Sequence, residues 1–153
     1  MTKCLEDFFK KHEVEYYKNY SLAEISYVKI GGNADFIILP DTLEKIILCI
    51  DFLNEKLIRF KIVGGASNIL FSDDGFRGVI IKTLRLSGIK ISGVSISADC
   101  GVKFSRLLAL AARQGLGGAS GLFGIPGTVG GMVYSNAGAF GTEVSDVVKS
   151  AIV

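Results

Sequence analysis

Apolar positions recur along this chain in a pattern that switches several times between helical and extended spacing. Leu5, Phe8 and Phe9 share one side of residues 5–12 while lysines take the other, which predicts a short amphipathic helix. Residues 14–20 are aromatic and polar and read as an arm. Residues 27–30 (Tyr-Val-Lys-Ile) alternate, reach Gly31-Gly32 and resume as Phe36-Ile37-Ile38-Leu39, so two short strands are expected around a tight turn, with Pro40 ending the second. Asp41 or Thr42 is placed to cap a helix from Leu43 to about Lys56, whose Leu43, Ile46, Ile47, Ile50 and Leu53 fall at helical spacing. Residues 60–63 predict a strand that runs straight into Gly64-Gly65-Ala66-Ser67-Asn68. An apolar run at 69–71, a turn at 72–75, a buried strand at 79–81 and a hairpin over 89–98 bent near Ser92-Gly93 follow. A second helix is expected from about Val102 to Gln114, closed by Gly115, with Phe104, Leu107, Leu108 and Ala111 inward. The order β-β-α-β-β-β-β-α fits an α+β fold better than a doubly wound parallel sheet.

Composition narrows the function classes. The 153 residues are 49% hydrophobic and 21% charged, enough apolar material for a packed core and too much for a disordered chain. Net charge is +2, and the basic residues are scattered rather than gathered into a stripe, so no nucleic-acid partner is expected. Three distant cysteines (Cys4, Cys49, Cys100) and a single histidine, His12, make no metal-ligand set; they read as reduced thiols of a cytoplasmic protein. The first twelve residues are too charged for a secretory h-region, and no apolar run reaches the ~18 residues of a membrane span. Asp73-Asp74 before Gly75 reads as a turn, and Tyr16, Tyr17 and Tyr20 as packing residues.

Glycine changes the picture most. The chain has 19 glycines against 2 prolines, and ten of the glycines lie between Gly115 and Gly141. Glycine costs ~1 kcal/mol in a helix or strand interior, so this stretch is expected to form neither. It is also nearly uncharged, so it is expected to be buried, with backbone N–H groups that need partners. Amides near residues 127–131 are candidates for a phosphate nest. Residues 63–68 form a second small-residue segment. Neither G-x-G-x-x-G nor a Walker sequence is present, so the two segments together point to a dinucleotide or phosphate ligand without the usual nucleotide fingerprints.

The string Gly124-Ile-Pro-Gly-Thr-Val-Gly-Gly131, followed by Asn136-Ala-Gly-Ala-Phe-Gly141, resembles the FAD-binding signature of the UDP-N-acetylenolpyruvoylglucosamine reductase (UDP-N-acetylmuramate dehydrogenase) family. Gly64-Gly65-Ala66-Ser67-Asn68-Ile69-Leu70 with Asp73 resembles that family's first FAD-contacting loop, and residues 26–34 resemble its N-terminal T-[FW]-x-[IV]-G-G-x-A element. The resemblance covers roughly residues 22–146. It implies a PCMH-type (vanillyl-alcohol-oxidase-like) FAD-binding fold of two small α+β subdomains, with residues 1–63 as arm and first subdomain and 64–153 as an incomplete second.

Carried over by position, Gly64, Gly65, Ser67 and Asn68 would receive the FAD pyrophosphate, with Ala66 and Ile69 beside them as cofactor-binding residues. Ile125, Pro126, Gly127, Thr128, Gly130 and Gly131 would line the flavin and its phosphate arm, with Asn136, Ala137 and Gly138 beside them. Ala66 stands where the family usually has glycine; a left-handed backbone there would cost alanine ~1 kcal/mol. The family's catalytic arginine, serine and glutamate match nothing here and are expected beyond Val153, as is the substrate domain. The implied reaction takes hydride from NADPH through FAD to UDP-GlcNAc-enolpyruvate, a step of peptidoglycan precursor synthesis. The alternatives are another PCMH-type FAD oxidoreductase and a catalytically inactive fragment that binds FAD only.

Overall fold

The computed structural model describes residues 2–153. Helix α1 (Thr2–Lys11) and strand β1 (Glu15–Ser21) lead into β2 (Asn33–Leu39), helix α2 (Leu43–Glu55), β3 (Phe60–Val63) and β4 (Phe76–Lys82). These strands make one sheet in the order β1-β2-β4-β3; β1 runs antiparallel to β2, and β4 runs parallel to both β2 and β3. Thr42 caps α2, its hydroxyl accepting from the Lys45 N–H at 3.2 Å.

Side chains alternate across the sheet, so consecutive residues of β2 and β4 serve opposite layers. Phe36, Ile38, Val79 and Ile81 pack under the helices against Leu5, Phe9, Cys49 and Leu53. Ile37 and Ile80 face the other way and join Val63, Leu22, Ala34 and Ala66 beneath loops rather than helices. The pairing register shifts between Ala34 and Phe36, with the extra residue on β4 between Phe76 and Val79, and Ala34 and Phe76 both lie on the loop-covered layer. That layer matters for function, because its lid is the loop that follows β3.

After the sheet come the hairpin β5 (Ile89–Ser92) and β6 (Ser95–Ala98), helix α3 (Phe104–Arg113), a short helix α4 (Val129–Tyr134), and the two-residue strands β7 (Gly138–Ala139) and β8 (Thr142–Glu143). Phe104, Leu108, Leu122, Met132 and Val144 form a separate small cluster. The division expected at residue 63 falls between β3 and β4, two hydrogen-bonded strands of the same sheet.

Four local expectations change. Residues 27–30 are a turn, not a strand: Lys29 has φ +59 and its N–H returns to the Ser26 carbonyl at 3.3 Å, while Tyr27, Val28 and Ile30 are exposed and meet no sheet. The partner of β2 is instead the expected arm, whose Tyr16 packs on Phe9 and Phe36. The glycine-rich segment contains α4 after all, because Thr128 caps it and the helix is short enough for two glycines to be tolerated. That segment is also largely exposed; among its residues only Leu122, Thr128 and Met132 are buried. Among the described residues no helix is long and apolar enough to cross a membrane, and no group of His, Cys, Asp and Glu is arranged for a metal ion.

Candidate functional site

The two glycine-bearing segments of the sequence meet. The loop after β3 leaves the sheet at its carboxyl edge, the edge at which open sheets with parallel strands present ligand-binding loops. It lies against residues 126–128. The Ser67 hydroxyl donates to the Pro126 carbonyl at 2.8 Å, latching one segment to the other. A Cβ on Gly64 would stand 2.2 Å from Thr128 Oγ1, and one on Gly65 would stand 3.4 Å from Gly127 Cα. Gly64 is therefore required by close approach, not by its own backbone angles.

The second segment is held from behind by residues 100–104. Phe104 N–H donates to the Gly127 carbonyl at 3.0 Å, Val129 N–H to Val102 at 2.8 Å, and Gly130 N–H to Cys100 at 2.8 Å. A Cβ on Gly130 would sit 2.7 Å from Cys100 Cβ, so glycine is the residue that lets the two backbones touch. Gly131 N–H reaches Thr128 Oγ1 at 3.4 Å. The amides of Val129, Gly130 and Gly131 are thus engaged within the protein, so of the expected nest at residues 127–131 only the N–H groups of Gly127 and Thr128 remain without a protein acceptor among the described residues. Residues 100–104 carried no motif in the sequence; their role is visible only once the backbones are adjacent.

Free donors remain at Gly127 and Thr128, and a longer run of them lies on the first loop. Among the described residues, the backbone N–H groups of Gly64, Gly65, Ala66, Ser67 and Asn68 donate to no protein acceptor. Ala66 adopts φ +53 and is buried, with its methyl in the sheet's loop-side layer and its carbonyl accepting from Tyr27 N–H at 3.3 Å. The condition set for alanine at this position is met: the left-handed backbone is real. A left-handed residue within a run of unclaimed N–H groups is the geometry of an anion-binding nest. Small residues at 64, 65 and 127 keep its mouth open, so the residues present fit a dinucleotide pyrophosphate.

The remaining expected residues sit further out. The Ile69 side chain packs on the loop-side layer, and Ile125 and Ala137 pack on the α3–α4 cluster. Asn136 is occupied locally: its amide nitrogen donates to Glu143 at 2.7 Å, and its oxygen accepts from Ser145 N–H at 2.9 Å. Gly138 pairs with Glu143 in the β7–β8 hairpin. Beneath the site, burial raises the Cys100 thiol above its ordinary range.

A family model described as FAD binding domain matches residues 34–153. The UDP-N-acetylenolpyruvoylglucosamine reductase of Carboxydothermus hydrogenoformans is 43% identical over 97% of this chain and 49% of its own length. That of Caldicellulosiruptor bescii is 39% identical over 95% of this chain and 46% of its own. The chain spans about half the length of the curated relatives it matches. Among solved structures, the UDP-N-acetylenolpyruvylglucosamine reductase of Thermus caldophilus superposes with a TM-score of 0.61 at 28% identity, over 87% of this chain and 46% of that one. A solvent-stable cholesterol oxidase superposes with a TM-score of 0.66 at 17% identity, covering 84% of this chain and 25% of its own, a likeness of fold alone.

Proposed function

This chain belongs to the FAD binding domain family, and from that footing we propose that it is the FAD-binding portion of a flavoprotein reductase acting on UDP-GlcNAc-enolpyruvate with NADPH as hydride donor. The observation that carries the reading is the junction of the two loops, with five unclaimed amides on one side and a glycine-lined wall on the other. The 39–43% identity to named reductases supports the substrate class.

Bound FAD supplies the hydride-transfer chemistry. The chain's own residues bind and orient. Residues 64–68 offer amides to the pyrophosphate oxygens. The Ser67–Pro126 hydrogen bond fixes the width of the cleft, and Thr128 holds the start of α4 against Gly64. We assign no proton-transfer role to any residue of this chain. A two-subdomain division belongs to the same proposal, with its boundary moved from the expected residue 63 to beyond β4, so that one subdomain lies on the sheet and one on the α3–α4 cluster. So does a cytoplasmic location, supported by three unpaired cysteines.

The test is oxidation of NADPH by the protein that carries this chain, on addition of UDP-GlcNAc-enolpyruvate. Substrate-dependent NADPH consumption that tracks the flavin content of the preparation is the expected result. Oxygen-coupled oxidation of an alcohol, with no response to the UDP-sugar, would overturn the substrate assignment in favour of another oxidoreductase of this fold.

A further inference from the structure

Lys82 ends β4 in an unusual situation. Only 8% of it is exposed, and none of the ion pairs among the described residues includes it. It is paired in register with Val63, the residue that opens the nest loop, and the Thr83 N–H donates to the Val63 carbonyl at 3.1 Å. Paired residues of neighbouring strands project to the same face. Lys82 therefore shares the loop-side layer with Val63, Ile80 and Ala66, under the lid formed by residues 64–68. A lysine this far buried without a counter-charge is costly, and its ammonium, which is not among the fully buried unpartnered atoms, stays within reach of a ligand.

The charge that acts on Lys82 is another cation. Burial is the main cause that disfavours the Lys82 ammonium, and the nearby Lys29 charge opposes its protonation further. Lys29 belongs to the turn whose Tyr27 N–H holds the Ala66 carbonyl, and its own ammonium donates only to the neutral Glu24 carbonyl at 3.3 Å. In the same turn, Ser26 is 2% exposed and its hydroxyl has no hydrogen-bond partner. Two lysines and an unpaired buried hydroxyl thus border the loop with the free amides. The shared demand of these groups is for an anion rich in acceptor oxygens.

We propose that Lys82 is the charge partner of the cofactor's pyrophosphate, reaching it from the sheet side of loop 64–68, with Lys29 and the Ser26 hydroxyl completing that wall. The inference rests on the FAD reading but concerns the diphosphate alone. The amides fix the position of the phosphates, and Lys82 supplies the charge that a row of neutral N–H groups lacks. Its burial without a protein carboxylate keeps that charge available to the ligand.

The variant Lys82→Met keeps the length and apolar stem of the side chain and removes the charge. Titrations with FAD, ADP and riboflavin, followed by thermal unfolding of the ligand-free proteins, separate the possibilities. Loss of a charge-assisted contact is expected to weaken FAD and ADP about 10- to 100-fold and to flatten the salt dependence of both, leaving riboflavin, which lacks the diphosphate, unchanged. The ligand-free Lys82→Met protein is expected to melt at or above the wild-type temperature, because an uncompensated buried charge is gone. A purely structural lysine would lower that temperature and weaken all three ligands alike, and that pattern overturns the inference. Wild-type affinity for FAD and ADP in Lys82→Met overturns it as well, and leaves the FAD reading intact. Binding of ADP but not FAD by the wild type, lost in Lys82→Met, would sustain the diphosphate contact and remove the FAD reading.

Discussion

The substitution Gly64→Ala places the sharpest demand on the contact between the two loops. The new Cβ would lie 2.2 Å from Thr128 Oγ1, against an ordinary contact beginning at 3.4 Å, and with Thr128 Cβ and Cγ2 at 3.4 and 3.5 Å behind it. Thr128 is 1% exposed and is the cap of α4, so it has little room to turn aside. Being β-branched, it also has few χ1 choices. Displacing its hydroxyl costs about 1 kcal/mol as a lost helix cap. Forcing a methyl into the packed junction adds about 2 kcal/mol of overpacking. The sum, near 3 kcal/mol, corresponds to a drop in Tm of about 6–12 °C for a chain of this size. The assay is thermal unfolding of Gly64→Ala, Thr128→Ala and the double variant. Removing the hydroxyl relieves the clash, so the double variant is expected to be more stable than the sum of the single losses by at least about 1 kcal/mol, the signature of residues in contact. Strict additivity, or a Gly64→Ala protein as stable as wild type, would refute the close approach on which the site is built.

Other expectations follow from the same geometry. Ala66→Gly is expected to leave stability within about 1 kcal/mol of wild type, because relief of the left-handed strain is offset by a lost buried methyl and a freer unfolded chain; calorimetry checks this, and a large gain would mean that the strain dominates. Thr42→Ala removes the α2 cap and is expected to cost about 1 kcal/mol in denaturant unfolding. Burial pushes the Cys49 thiol up to about 11 from an ordinary 9.0. The folded chain therefore holds that proton more tightly than the unfolded chain, and the associated stability is present below pH 9 and lost as pH climbs toward 11. Melting curves of wild type and Cys49→Ala across that window are expected to converge as pH rises; parallel curves would contradict the burial argument.

The parts of the fold that came through from sequence are those in which one physical signal governs one element. The apolar spacing of α2 and its Thr42 cap, the V-I-I run of β4 and the short β3 before two glycines needed no tertiary context. Strand β1 was hidden because its sequence, Glu-Tyr-Tyr-Lys-Asn-Tyr-Ser, holds no aliphatic residue and no apolar alternation, and its pairing with β2 spans the whole turn at residues 22–32. Residues 27–30 misled for the opposite reason: they alternate, but no sheet lies within reach. In the site, the glycine motifs marked which segments approach each other, since glycine density records close contact. They carried no information on which amides remain free. That depends on residues 100–104, distant in sequence, which occupy the donors of Val129 and Gly130 and leave those of Gly127, Thr128 and residues 64–68. Lys82 escaped notice because a lysine after three apolar residues looks like the solvated end of a strand; only the register with Val63 places it under the loop.

The central claim is that loop 64–68 and its glycine wall hold FAD. Its most direct measurement is a fluorescence and absorbance titration of the purified chain with FAD, with circular dichroism on the same sample to establish that it is folded. Saturable binding of one FAD per chain, competed by ADP and abolished with the loop contact in Gly64→Ala, is the predicted result. A folded chain that leaves the flavin spectrum and fluorescence unchanged at saturating FAD would contradict the account.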